Sequence, residues 1–151
     1  MRFDRDKFVT DALSLVGRSV PWEHQGRNPD VGIDCIGLPR WAYQLQRPLP
    51  DELEAEFAAY HRKPDGERML TIMRRWFEEV PAHDQQRLPL IVGHMPGDLV
   101  VMYFKRNPCH MGVLVSATEV VEAFKQGDFA SVRKGEPRLA IAAVFRIPEF
   151  N

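Results

Sequence analysis

The apolar residues Phe3, Phe8, Ala12, Leu13, Leu15 and Val16 fall largely on one face at a period near 3.6, and Gly17 follows them as a stop signal. This spacing predicts an amphipathic helix. Residues 18–33 hold two prolines and two glycines among polar residues, a composition that predicts an irregular loop. From Asp34 the pattern is helical again, through Cys35, Ile36, Leu38, Trp41, Ala42, Tyr43 and Leu45. Asp34 stands at the N-cap and Cys35 in the first turn. Pro39 is expected to kink or shorten that turn. Between residues 47 and 94 the spacing predicts helices over 52–60 and 67–80, bounded by prolines. After the turn signature Met95-Pro96-Gly97-Asp98 the chain reads as strands over 99–104, 110–115, 119–124 and 140–146, rich in Val, Ile and Phe and joined by short turns. A helical first half followed by an antiparallel meander is an α+β arrangement, with the Cys35 helix expected to pack on the sheet that carries His110.

A chain of 151 residues with 44% hydrophobic content supports one core, so a single domain over residues 1–151 is expected. Twenty lysines and arginines against 21 acids give a formal charge of -1, which supplies no bulk electrostatic reason for a nucleic-acid partner. No apolar run approaches the roughly 18–20 residues of a membrane span. Charges run through the N-terminus where a signal peptide would be apolar, and two cysteines are too few for a disulfide framework. Synthesis in a reducing cytoplasm without an export signal is therefore the expectation.

Three residues have the types that nucleophilic thiol chemistry needs. The start of a helix favours a thiolate, so Cys35 is a candidate nucleophile with a lowered pKa. His110 opens a predicted strand and is a candidate base, and Glu122 on the next strand can orient its imidazole. Each also has a plainer reading: Cys35 as a small core residue, His110 as a strand-end histidine, Glu122 as a solvent-facing strand residue. Zinc on Cys35, Cys109, His110 and His24 lacks a ligand spacing, and strand alternation is expected to aim Cys109 away from His110. Trp41, Tyr43, Trp76, Phe77, Phe104 and Phe124 are expected in the core, and Arg27, Arg40 and Lys125 in solvent.

The run Gly32-Ile33-Asp34-Cys35-Ile36-Gly37-Leu38 resembles the cysteine signature of NlpC-type cell-wall peptidases. Met95-Pro96-Gly97-Asp98-Leu99-Val100 resembles that family's proline-glycine-aspartate strand entry, and His110-Met111-Gly112-Val113 its histidine strand. His24-Gln25-Gly26-Arg27 and residues 141–148 are similar to compact peptidases of bacteriophage tails and gene transfer agents. The resemblance implies a papain-like fold with Cys35 as nucleophile, His110 as base and Glu122 as third residue, where relatives commonly carry histidine. Trp22 stands where relatives often have tyrosine, and with Asp34 and Gly112 it would shape the site. The implied reaction is cleavage of peptidoglycan stem peptides, often between D-glutamate and a diamino acid, without metal or cofactor. The implied partners are tail-tip or baseplate hub proteins, with action in the wall of the target cell.

Overall fold

Antiparallel pairing between strands joined by short turns builds the C-terminal half, as the alternation after residue 98 predicts. The computed structural model describes residues 2–59, 67–81 and 94–150. Helix α1 (Arg5–Leu13) begins where the Asp4 carboxylate accepts the Lys7 N–H at 2.9 Å, and it buries Phe8 and Ala12. Three two-residue strands follow, β1 (Val20–Pro21), β2 (Arg27–Asn28) and β3 (Gly32–Ile33). The segment expected to be an irregular loop is thus partly paired: β2 and β3 pair with each other, and β1 pairs with residues 129–130, beyond the reach of local sequence reading.

Helices α2 (Gly37–Gln44), α3 (Asp51–Ala58) and α4 (Arg68–Trp76) come next. Pro39 occupies the third residue of α2, in the first turn, where its missing N–H costs little. Residue 60 of the predicted helix over 52–60 and residues 82–93 of the connecting segment lie outside the described residues. The helix predicted over 67–80 stops at Trp76. Phe77 turns extended, and β4 (Glu78–Val80) pairs with the last strand, so tertiary pairing overrides helical periodicity there. Strands β5 (Leu99–Phe104), β6 (Asn107–Leu114), β7 (Val120–Gln126), β8 (Phe129–Gly135) and β9 (Ile141–Arg146) complete the sheet. Its order is β1-β8-β7-β6-β5-β9-β4. The sequence reading missed β8, although Ala130 and Val132 are buried at its period of two.

One face of the sheet, with Val101, Met111, Val113, Val121 and Phe145, joins Phe8, Leu38, Ala42, Leu53 and Met73 in the main core. The opposite face carries a smaller cluster of Val100, Met102, Leu114, Val120, Ile141 and Val144. No helix among the described residues is long and apolar enough to cross a membrane.

Asp98, fully buried at the entry to β5, links the N-terminal helix to the last strand. It accepts Arg146 Nη2 at 2.8 Å and Nε at 3.0 Å, Arg5 Nη1 at 3.3 Å and the Met95 N–H at 3.0 Å. Removing one member of a buried charge cluster strands the others. Asp98→Ala is expected to lower unfolding free energy by about 3–5 kcal/mol in urea titrations. A loss below about 1 kcal/mol would mean that water already satisfies the two arginines.

Candidate active site

Cys35 is positioned by its neighbours on both sides. The buried Asp34 carboxylate accepts the N–H groups of Ile36 at 3.2 Å and Gly37 at 2.6 Å through Oδ1, and that of Gln25 at 2.7 Å through Oδ2. One side chain thereby caps the start of α2 and fixes the loop before it. The Leu38 N–H bonds back to the Asp34 carbonyl at 3.2 Å, so a helical bond already spans Cys35, although α2 itself starts at Gly37. The predicted first-turn position is therefore a turn residue just ahead of the helix. A Cβ on Gly37 would overlap the Gly26 carbonyl, and one on Gly26 would overlap the Gly32 carbonyl. Glycine is required at both positions because backbone approaches backbone there.

Strand β6 supplies the other wall. β7 pairs with β6 from Leu114 to Gly112 and then parts from it, leaving the edge of residues 109–111 unpaired by any strand on that side. The Cys35 sulfur lies at this gap: its thiol donates to the Cys109 carbonyl at 3.8 Å, and the Met111 N–H favours its charged form. His110 lies between those two anchors. No hydrogen bond joins its imidazole to the thiol in this resting arrangement. The register between β5 and β6 shifts at Met102/Tyr103, so Cys109 is an extra, bulged residue. The simple alternation expected to aim Cys109 away from His110 does not apply at a bulge.

His110 and Glu122 share the sheet face opposite the helices. Glu122 is opposite Gly112 in register, so it reaches His110 diagonally, and Glu122 Oε2 lies 3.7 Å from Nε2. Neither atom has a hydrogen-bond partner, and both are buried. A bulkier residue at position 112 would crowd this diagonal, since a Cβ there meets the Val121 carbonyl, Met102 and Glu122. The imidazole also stacks on Phe124, with centroids 4.4 Å apart. With Nε2 turned to Glu122, Nδ1 is the nitrogen left for exchange with the thiol. Trp22 bridges to Ile33, two residues before Cys35, and packs half-buried on the core.

Arg133 is the residue that sequence reasoning missed. It is the direct cross-strand neighbour of Glu122, and its Nη1 donates to Glu122 Oε1 at 2.9 Å and to the Glu136 carbonyl at 3.1 Å. The signal was available once β8 is recognised, because a two-residue turn sets that register. Arg27 and Arg40, expected in solvent, instead share Glu54, and Arg40 is buried with its guanidinium over Phe57. Phe104, expected in the core, is exposed at the tip of β5. Among the described residues no group of three or more His, Cys, Asp or Glu side chains is placed to hold a metal ion.

The electrostatics correct one expectation. Burial pushes the Cys35 thiol far above its ordinary range, and the neighbouring Asp34 charge adds to this. The Met111 N–H opposes both without reversing them. The helix start, whose N–H groups are already spent on Asp34, does not lower the pKa as the sequence suggested.

The resting protein therefore holds Cys35 as a neutral thiol. Alkylation by iodoacetamide at pH 8, followed by peptide mass analysis, is expected to modify Cys35 more than tenfold slower than free cysteine. Equal rates would mean that the thiolate is exposed. Because the folded pKa is raised, the thiol's contribution to stability is present below the ordinary value of 9.0 and is lost as pH rises beyond it. Urea midpoints are expected to fall above that pH in the parent and to fall less in Cys35→Ser. For the buried pair, Arg133→Met is expected to cost about 2–4 kcal/mol by leaving Glu122 without its cation.

No family model and no curated protein matches this chain. Solved structures do. The NlpC/p60 domain of the peptidoglycan hydrolase SagA is similar at 15% identity and a TM-score of 0.62, over 96% of this chain and 100% of that one. A lipoprotein-like protein of the NLP/P60 family from Staphylococcus aureus gives 16% and 0.62, over 99% of this chain but 44% of its own length. RipD from Mycobacterium tuberculosis, described as a non-catalytic NlpC/p60 domain protein adapted to peptidoglycan binding, gives 17% and 0.54, over 98% and 100%. Helices packed on an antiparallel sheet, together with these likenesses, make this a papain-like NlpC/P60 fold, an α+β architecture.

Proposed function

We propose that this protein is an NlpC-type cysteine peptidase that hydrolyses amide bonds in peptidoglycan stem peptides, and that a bacteriophage or gene-transfer-agent tail carries it to the wall, held by tail-tip or hub proteins. One observation carries the catalytic reading: the Cys35 sulfur is seated on the backbone either side of His110, whose far nitrogen faces a carboxylate locked by Arg133. The tail assignment rests on the likeness of residues 24–27 and 141–148 to tail-module peptidases.

The geometry supports the following steps. The thiol proton turns from the Cys109 carbonyl to His110 Nδ1, and the sulfur attacks the amide carbonyl. Glu122 stabilises the imidazolium across the 3.7 Å gap, which closes when Nε2–H bears charge. Backbone N–H groups beside Cys35 hold the oxyanion, and His110 delivers its proton to the departing amine. Water, deprotonated by His110, then cleaves the thioester, giving a carboxylate and restoring the thiol. No metal or cofactor enters the scheme. Because desolvation raises the half-buried Cys35 thiol, deprotonation is expected to accompany substrate binding, so kcat/KM is expected to depend on more than thiolate abundance.

The same neutral thiol, bonded to a carbonyl instead of imidazole, favours one rival: a wall-binding domain without turnover. Purified walls of several chemotypes incubated under reducing conditions, with released muropeptides identified by mass, distinguish the two. The parent is expected to release peptides with new amino and carboxylate termini, and Cys35→Ala or His110→Ala to reduce release by about 10³-fold or more. Equal release by parent and Cys35→Ala would end the peptidase reading. Wall retention of both proteins with no release from either would favour the binding domain.

A further inference from the structure

The turn that joins β5 to β6 has a conformation its residues do not favour. Phe104 pairs with Asn107, so Lys105 and Arg106 are the two central residues of a tight hairpin, with φ of 49° and 73°. Two positive φ angles in a two-residue loop select Asn-Gly or Asp-Gly, because a Cβ is strained there. This chain instead places its two long cationic side chains at the strained positions. Such an outlier points to a role for the side chains when nothing in the fold demands them.

Nothing in the fold does. Neither cation has a carboxylate partner among the described residues, whereas Arg5, Arg27, Arg40, Arg133 and Arg146 are all paired. Lys105 lies over the ring of Phe104, 5.5 Å from its centroid, and that ring is 41% exposed. Antiparallel order brings the turn between β7 and β8 to the same end of the sheet. It adds the exposed cation Lys125 and exposed Phe129, with Asp128 the one acid among them. A chain of net charge -1 thus gathers unpaired cations and exposed aromatic rings beside the candidate site. Three steps of the chain lead from Arg106 to Cys109, whose carbonyl holds the sulfur, a span of about 10 Å or two to three residues of extended peptide.

We infer that the Lys105–Arg106 hairpin tip is a substrate-docking prong that binds a free carboxylate of the stem peptide, two to three residues from the bond to be cut. This inference rests on the peptidase reading and names the substrate chemistry that the site would select. The exposed rings supply apolar contact beside the charge, and the strained turn holds both cations outward, where a shift to an ordinary turn would redirect them.

The test is the double substitution Lys105→Asn and Arg106→Gly, which installs the residues the turn prefers and removes both cations. Two synthetic stem peptides serve as substrates, identical except that one has its carboxylates amidated. The thermal midpoint of the variant is expected to rise by about 2–4 °C as strain is relieved. On the free-acid peptide KM is expected to rise about three- to tenfold with kcat unchanged, and on the amidated peptide neither is expected to move. An unchanged or lowered midpoint would remove the strain on which the inference stands. An unchanged KM, or one raised equally for both peptides, would overturn carboxylate recognition. Calorimetric titration of both peptides into Cys35→Ala, with and without the tip substitutions, separates this outcome from failure of the peptidase reading: tip-dependent binding of the free acid without turnover by the parent would retain the prong and discard the peptidase.

Discussion

A single buried carboxylate, that of Asp34, decides where the Cys35 sulfur can be. It takes two N–H groups from the start of α2 and one from Gln25, so the loop and the helix are tied together through the residue that directly precedes Cys35. Capping by an acid is ordinary helix chemistry, but an exposed cap organises only its own helix. Buried, Asp34 must have its acceptor sites filled from within the protein, and the groups that fill them come from both sides of the cysteine. The glycines at 26 and 37 follow from the same constraint, since loop and helix approach too closely to leave room for a Cβ.

A second set of buried charges organises the far wall of the site. Glu122 lies between an arginine that it meets fully and a histidine that it meets only at 3.7 Å. The unequal sharing leaves an unfilled acceptor beside an unfilled ring nitrogen in a place water does not reach. Such a gap costs stability as it stands. Asp98 offers the contrast. Its four donors fill it in the resting fold, and its role is to bind α1 to β9.

Much of this was legible in the chain. Strands β5, β6, β7 and β9 followed from alternation, and α1 and α2 from periodicity and an acid before an apolar run. Local sequence could not reveal β1 and β4, whose residues become strands only because distant edges accept them. His110 and Glu122 stand on the strands expected and Cys35 in the turn just ahead of α2, yet the reason Glu122 is tolerated in a dry sheet was invisible without β8, which brings Arg133 opposite it. The thiol's acidity was misjudged for a related reason. The helix-start rule treats free N–H groups as available to the sulfur, and here Asp34 has claimed them. Phe104 was read as core because strand spacing tells which face a side chain takes, not whether another layer covers it.

The seat of the sulfur on the parted edge of β6 puts the Cys35 side chain where a β7 residue would otherwise pair. Any electrophile that captures the sulfur withdraws its proton from the Cys109 carbonyl and leaves a strand edge short of one donor. The incoming molecule is the nearest source of a replacement. An extended peptide backbone has N–H groups at the right repeat to supply it, whereas a small alkylating reagent has none. A peptide that captures the sulfur is therefore expected to refill the edge, and a small alkylating reagent to leave it unfilled.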